Sequence, residues 1–407
     1  MIGGGISGIS ISEILSRHGH KTILIEKNHD LASETSKVFH EWLHSGALYS
    51  LVPDNLLTLR YLLGATDDLF EFYGSYKRMN LLPSERGISF KNTQNTNGWF
   101  NNENIEFRYK IHKTNPVWMS LVSRSINIID LVSNHDWLRR RAGSQYGPSK
   151  LKIKYWFNKI NRQIKCSDKF LNIKSPDITM NSRILLSDLL KTSQMLGLKV
   201  ALGKTITSIV EEKDYVKLTA GKENFFAKNI VICTPDFLSK FYKLPLKLGY
   251  APMSVISNVP KKEKSFVELD FNIKKCINLL KKEDGYGQAG GITLSDEKKV
   301  DEYSNYLINE HKKRNPKIKI LDSYVGIKKE LVNKKEERNY LYHINQSSDR
   351  VWSVVLGKFS LAFSTAPEFY RRVYKKNPIK NIRTFTGKED NLNISSTSWK
   401  EIISRKL

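Results

Sequence analysis

Met1-Ile2-Gly3-Gly4-Gly5-Ile6-Ser7-Gly8 opens the chain and carries Gly-x-Gly-x-x-Gly at Gly3, Gly5 and Gly8. Apolar residues at Ile6, Ile9, Ile11, Ile14 and Leu15 then predict a helix, and Gly19 suits its exit because a left-handed residue without Cβ costs little there. Thr22-Ile23-Leu24-Ile25 reads as a buried parallel strand that ends at Glu26. In such a unit the first glycine permits a tight turn, the second lets a pyrophosphate approach the backbone, and the third lets helix and strand pack closely. Phosphates there meet free N–H groups and the positive end of a helix dipole. Glu26 stands 18 positions after Gly8, in register for an acid that accepts from a ribose 2′-hydroxyl, with Lys27 beside it. An ordinary glycine turn is the bland reading, but glycines, helix, strand and acid in order favour a dinucleotide. A ribose-reading carboxylate also disfavours a 2′-phosphate, so NADP is the least suitable ligand. Only Met1 and Ile2 stand where a strand of ~5–6 residues is usual, so the native chain is expected to extend upstream, or else the first strand is a stub.

At 407 residues the chain is long enough for two domains, and its 40% hydrophobic and 11% aromatic content describes a globular protein. No apolar run approaches the ~18–20 residues that span a bilayer, and no cationic leader precedes the glycines. The expected location is therefore cytoplasmic or at a membrane surface. Cys166, Cys233 and Cys276 form no pair or framework and read as reduced thiols, and no metal-ligand cluster is visible. The formal net charge is +25, which suits anionic partners but is also what a uniformly Lys-rich composition produces. Between Asp136 and Lys174 there are eleven Lys or Arg residues against two acids, among them Arg139-Arg140-Arg141 and Lys152, Lys154 and Lys159, which interleave with the aromatics Tyr155, Trp156 and Phe157. This stretch, 139–174, suits either a solvated helical excursion or contact with an anionic membrane, and nucleic acid is the weaker alternative.

Ser33-Glu34-Thr35-Ser36-Lys37 offers small polar groups to phosphate and ribose oxygens. His44-Ser45-Gly46-Ala47-Leu48-Tyr49 sets a histidine beside a glycine that lets backbone lie against a planar ring. A satisfied loop histidine is the competing reading of His44. Leu59, Leu62, Leu63, Thr66, Phe70 and Tyr73 recur at helical spacing after a cap at Asp54 or Asn55. From Leu82 to about Pro176 the pattern loosens into short strands and turns. A helix from Ser182, a strand at Leu198–Leu202, a three-stranded meander and the buried strand Asn229–Thr234 follow. Gly285-Tyr286-Gly287-Gln288-Ala289-Gly290-Gly291 suggests close packing or a ligand wall. Val351–Leu356 then meets Gly357-Lys358-Phe359-Ser360 and a helix expected to begin near Thr365, with Pro367 in its first turn.

Taken together, these blocks resemble the FAD-dependent oxidoreductases of the D-amino-acid oxidase superfamily, and within it aerobic glycerol-3-phosphate dehydrogenases and hydroxyglutarate oxidases. Gly3, Gly5, Ile6, Ser7, Gly8, Glu26 and Lys27 match the ADP site. Thr35-Ser36 and His44–Tyr49, with Gly46, resemble the segment beside the flavin, and Gly357-Lys358-Phe359-Ser360 resembles the block at its pyrimidine end. Thr234 closes the strand that borders the cofactor. Departures fall at Leu48 and Lys328, where the dehydrogenases keep arginines, at Lys329 for proline, at Leu356 for glycine, and at Thr234-Pro235, which lacks a glycine. They argue against glycerol 3-phosphate and leave the FAD site intact.

The resemblance implies an α/β fold: a Rossmann-like FAD/NAD(P)-binding domain and a second, mostly antiparallel β-sheet plus helices substrate domain. The expected division is 1–85, 177–235 and 341–407 for FAD, and 86–176 and 236–340 for substrate. The implied activity is hydride transfer from a C–OH or C–N centre of a small anionic substrate to FAD. Lys358 and His44 stand in catalytic positions, Lys328 anchors the anion, and the electron acceptor is oxygen, a quinone or a protein. Two other classes remain: a flavin- or nucleotide-binding interaction protein without turnover, and an RNA-modifying flavoenzyme that uses the basic stretch. A purely NAD-linked enzyme leaves Gly357-Lys358 unexplained.

Overall fold

The computed structural model describes residues 1–52, 54, 56–79, 81–84, 87–92, 98–110, 116–134, 170–242, 245–270, 275–332, 339–382 and 387–407. The basic stretch at 139–169, with Cys166, lies outside them.

Two parallel strand pairs make the nucleotide-binding half. Ile23–Ile25 pairs with Lys199–Ala201, and Ile230–Ile232 pairs with Val351–Leu356, to which Tyr342–Ser348 adds antiparallel. Between the pairs stands Ile2, bridged in parallel to both Ile25 and Ile232. Its N–H donates to Val231 O at 2.9 Å, and the Gly3 N–H donates to Ile25 O at 2.8 Å. One residue thus joins both pairs and delivers the chain into the glycine turn.

The helix Ile6–Arg17 follows at once, and its whole length is buried. It packs against Ser182–Met195 and Ala362–Tyr374, while Leu57–Tyr73 covers the latter. Leucines and isoleucines at helical spacing, among them Ile9, Ile14, Leu62, Leu69 and Leu189, fuse these four helices into one core. Asp54 caps Leu57–Tyr73, accepting from the N–H groups of Leu57 at 3.2 Å and Thr58 at 2.9 Å. The antiparallel meander Ser208–Glu211, Val216–Ala220 and Glu223–Ala227 packs through Val216 and Leu218 against Ile25, Ile230 and Ile232.

The second layer is an eight-stranded sheet. Its order is Lys319–Leu331, Leu246–Ser257, Gly287–Gly291, Lys275–Lys281, Phe266–Asp270, Phe100–Lys110, Leu171–Met180 and Trp42–Leu43. Every neighbour is antiparallel except Phe266–Asp270 beside Phe100–Lys110. Alternation along Ile105, Phe107 and Tyr109 aims those side chains at the helix Pro116–Asn134. Val300–Arg314 covers another part of the sheet through Leu307. Leu171–Met180 runs through the boundary expected at 176/177, and Trp42–Leu43, from the FAD segment, forms the sheet's edge.

Two local expectations are corrected. Pro116–Asn134 is a 19-residue helix where only loose strand and turn signals were read. Met119, Val122, Ile126 and Ile129 give it an apolar stripe, and Pro116 at the first position needs no N–H partner. The helix after Phe359–Leu361 begins at Ala362 rather than near Thr365, so Pro367 lies inside it. A 3-10 turn over Phe359–Leu361 leads directly into that helix and starts it early. Among the described residues, no helix is long and apolar enough to cross a membrane, and no cluster of His, Cys, Asp or Glu could hold a metal ion.

Candidate active site

The glycine turn shows why these positions are glycine. Gly3 sits at φ +105°, and a Cβ there would lie 2.4 Å from Thr234 Cγ2. A Cβ on Gly8 would lie 1.9 Å from the carbonyl oxygen of Gly3, so the helix can start this close to the turn only without a side chain. Glu26 reaches back to the turn. Its Oε2 accepts from the Gly4 N–H at 2.6 Å and its Oε1 from the Asn28 N–H at 3.0 Å. Ser36 Oγ accepts from the Ile6 N–H at 3.1 Å, so the polar stretch caps the helix that it borders. Arg183 holds that stretch in place, donating to the carbonyls of Ser36 at 2.5 Å and Ser395 at 2.7 Å.

The turn opens into a cleft of about 890 Å³ between the two layers. Gly3, Gly5, Ile6, Ser7, Glu26, Lys27, Thr35, Ser36 and Thr234 line one end. His44, Lys328, Gly357, Lys358 and Phe359 line the same cleft. Gly8, Gly46 and Ser360 do not. Gly46 is at φ +98° with its Cα facing Leu59, and Ser360 Oγ accepts from the His44 N–H at 2.9 Å and donates to Trp42 O at 3.2 Å. Ser360 therefore ties the Lys358 turn to the His44 segment. Lys27 pairs with Glu34 at 3.0 Å, and Thr35 Oγ1 donates to Ile327 O at 3.4 Å.

At the other end, His44 stacks on Trp42 with ring centroids 4.2 Å apart. Asp177 organises both. It accepts from Trp42 Nε1 at 2.8 Å, from the Ser45 N–H at 3.0 Å, and from the Ser45 hydroxyl. Its Oδ2 also lies 3.5 Å from His44 Nδ1, close but outside hydrogen-bond geometry. Burial pushes the His44 pKa down to about 4, with the Lys358 and Lys328 charges adding to it and Asp177 opposing them. His44 is therefore a neutral imidazole at neutral pH. The Lys358 ammonium lies 5.0 Å from the Tyr49 ring centroid and 4.8 Å from that of Tyr340. Lys328 donates to Gly357 O at 3.0 Å and forms an ion pair with the buried Glu330.

Sequence reasoning did not find Asp177, His40, Asn278 or Tyr340. Nothing in the mixed stretch Leu171–Met180 marks Asp177 in the sequence; its complete burial appears only in the fold. No signal marks Tyr340 either.

A profile of the DAO family, described as FAD dependent oxidoreductase, matches residues 1–267, and the chain belongs to that family. L-proline dehydrogenase from P. horikoshii superposes with TM-score 0.62 at 12% identity, over 94% of this chain and 94% of that one. NikD, described as an unusual amino acid oxidase, gives 0.62 at 11% identity over 97% and 98%. L-α-glycerophosphate oxidase from Mycoplasma pneumoniae, with FAD bound, gives 0.60 at 15% identity over 95% and 97%. At these identities the likeness is one of fold. No curated protein sequence matches the chain. The protein is an FAD-dependent oxidoreductase with a Rossmann-like domain, and its residues fit the cofactor. The cleft is of the size that takes a large ligand, the glycine turn leaves no side chain in the way, and Thr234 Oγ1 is buried there without a partner.

Proposed function

We propose that the protein oxidises a small anionic substrate at a C–OH or C–N carbon. The observation that carries this reading is a single cleft joining the glycine turn and Glu26 to His44 and Lys358. Bound FAD would supply the two-electron acceptor for the hydride. Gly3 to Ser7, Glu26, Thr35, Ser36 and Thr234 would hold its nucleotide end, and Gly357 to Phe359 its ring end. Lys358, fixed over two tyrosine rings, provides positive charge that needs no reorganisation during reaction.

His44 takes up the hydroxyl or amine proton on the ring nitrogen turned away from Asp177. Asp177 then stabilises the imidazolium by charge, while the stack on Trp42 keeps the ring oriented. Lys328 is the anchor we assign to the substrate's anionic group, with part of its charge already met by Glu330. The acceptor that reoxidises the enzyme is oxygen, a quinone or a protein.

Anaerobic mixing of the FAD-loaded protein with a panel of hydroxy acids, amino acids and phosphorylated polyols tests this. At least one anionic member should bleach the flavin. Bleaching by dithionite alone, with none from the panel, would contradict the reading.

A further inference from the structure

One wall of the cleft comes from the antiparallel sheet. Leu269 and Cys276 are partners across the ladder of their strands, and both line the cleft. Ala251, on a strand two places from that of Cys276, and Ile292, just past the strand between, continue the lining. From the side, the 3-10 helix Ala47–Leu51 adds Leu48 and Leu51. Leu48, Leu51, Leu269 and Cys276 are half-buried and pack on the closed cluster of Trp42, Ile105 and Val267, while Ile292 is 47% exposed. The wall is therefore open apolar surface inside a concave site, and covering it with an apolar group is favourable. Trp42 ties it to the base, since His44 stacks on that indole.

Charge is placed differently. Among the described residues, neither that 3-10 helix nor the strands Phe266–Asp270 and Lys275–Lys281 give the cleft a charged side chain. The one amide they give it, Asn278, faces His40. Lys328 pairs with Glu330 and Lys329 with Asp236, and Lys358 lies over the Tyr49 and Tyr340 rings. One anionic group of a substrate can reach these lysines. A second, carried on the substrate's side chain, would leave water for a wall with no charge to meet it, which is costly. An apolar side chain meets no such penalty there.

We propose that this wall is the side-chain pocket of the substrate. It selects a monocarboxylic hydroxy or amino acid with an apolar side chain, aliphatic or aromatic, over dicarboxylic and phosphorylated substrates. This rests on the reading of a small anionic substrate given above and names its class. It assigns the wall no part in the redox step.

The test is to titrate the oxidised, FAD-loaded protein anaerobically with lactate, 2-hydroxybutyrate, 2-hydroxyisocaproate and 3-phenyllactate, and with their amino counterparts. Malate, 2-hydroxyglutarate, aspartate, glutamate and glycerol 3-phosphate provide the second charge, and every chiral acid is used as both enantiomers. Binding is read from perturbation of the flavin spectrum, and bleaching is followed in the same cuvettes. In the better-bound series, Kd should fall about fourfold for each methylene that the wall covers. The branched or aromatic member should bind more tightly than every doubly charged one. Leu269→Lys should flatten that gradient and favour the dicarboxylates. Ile292→Lys, at a position already exposed, should shift the preference the same way, and the two variants check each other should one fail to fold. No gradient in the wild type, a doubly charged compound as the tightest ligand, binding of no member, or a gradient that survives both substitutions would overturn the proposal. Loss of FAD from both variants would assign the wall to the cofactor and overturn it as well. The gradient without bleaching would sustain it while sinking the oxidation reading. Bleaching by doubly charged compounds alone would do the reverse.

Discussion

A lysine resting on two tyrosine rings keeps its charge in a place where water screens it poorly. Lys358→Met should therefore slow anaerobic flavin reduction at saturating substrate by about 100-fold, the scale of losing one preorganised charge, with FAD content unchanged. An unchanged limiting rate would remove Lys358 from the chemistry. Lys328 is a different case because it is already paired with Glu330, whose side chain is 3% exposed. Lys328→Met removes the cation beside that carboxylate, leaving it the Asn339 N–H at 3.3 Å, and should cost about 3–5 kcal/mol in denaturant unfolding. Adding Glu330→Gln should restore much of the loss, and its failure to do so would show that the pair is not what holds this region. His44 has its pKa near 4, so its base form persists through neutral pH. Flavin reduction should then be flat from about pH 8 to 5 and decline only toward pH 4, and a decline centred on 6.5 would refute a buried neutral His44. The sequence singled out Lys358 and His44, which line the cleft, because each sits in a short motif with glycine neighbours. Asp177 and Asn278 were illegible for the opposite reason: what each does depends on strands that meet only in the fold, as when Asp177 receives the indole of Trp42, 135 positions away.

The glycine turn and its helix form the most legible element, since turn, close approach and helix start are all set by neighbours in sequence. Gly8→Ala drives a methyl into the Gly3 carbonyl, and overpacking of this kind costs about 1–3 kcal/mol or more. The expected result is lowered thermal stability together with lost flavin, whereas a stable flavoprotein would contradict the contact. The C-terminal helix Ser398–Lys406 plays a quieter part. Trp399 Nε1 donates to Glu41 Oε2 at 2.9 Å, and Lys282 donates to the same oxygen. The helix thus fastens the segment that carries His40 and His44. Trp399→Phe should cost about 1.5–3 kcal/mol, the range for a hydrogen bond to a charged group, measured by urea unfolding. The helix Pro116–Asn134 had a readable stripe in Met119, Val122, Ile126 and Ile129, but basic and polar neighbours obscured it.

At the level of the whole molecule, histidines held wholly or partly out of water set the acid response of the described residues. Burial lowers the pKa of His18, His44 and His311 to about 4 and that of His40 to about 3, from 6.5. Between those values and 6.5 the unfolded chain binds more protons than the fold, so stability should rise with pH across that window. Asp68 works against this. Burial raises its pKa from 3.8 to about 7 despite Arg371, so it contributes stability that fades as pH rises between those values. Among the described residues, the lowered histidines outnumber the acids that burial raises, Asp68, Glu103 and Glu268, and Tm should climb from pH 4.5 to 6.5; a flat or falling Tm would count against the neutral histidines. The α/β fold with a Rossmann-like part and a mostly antiparallel sheet was implied by the resemblance, whereas the strand Leu171–Met180 runs through the boundary expected at 176/177. What unites both layers is the claim that the cleft between them binds FAD at the glycine turn. The flavin content of purified Gly5→Asp addresses it most directly, since a Cβ on Gly5 would lie 3.1 Å from Ser36 Oγ at the lining of that cleft. A carboxylate placed there should clash with and repel the pyrophosphate, so the variant should fold and purify without flavin while the wild type carries FAD. Flavin retained at the wild-type level in Gly5→Asp would contradict the account.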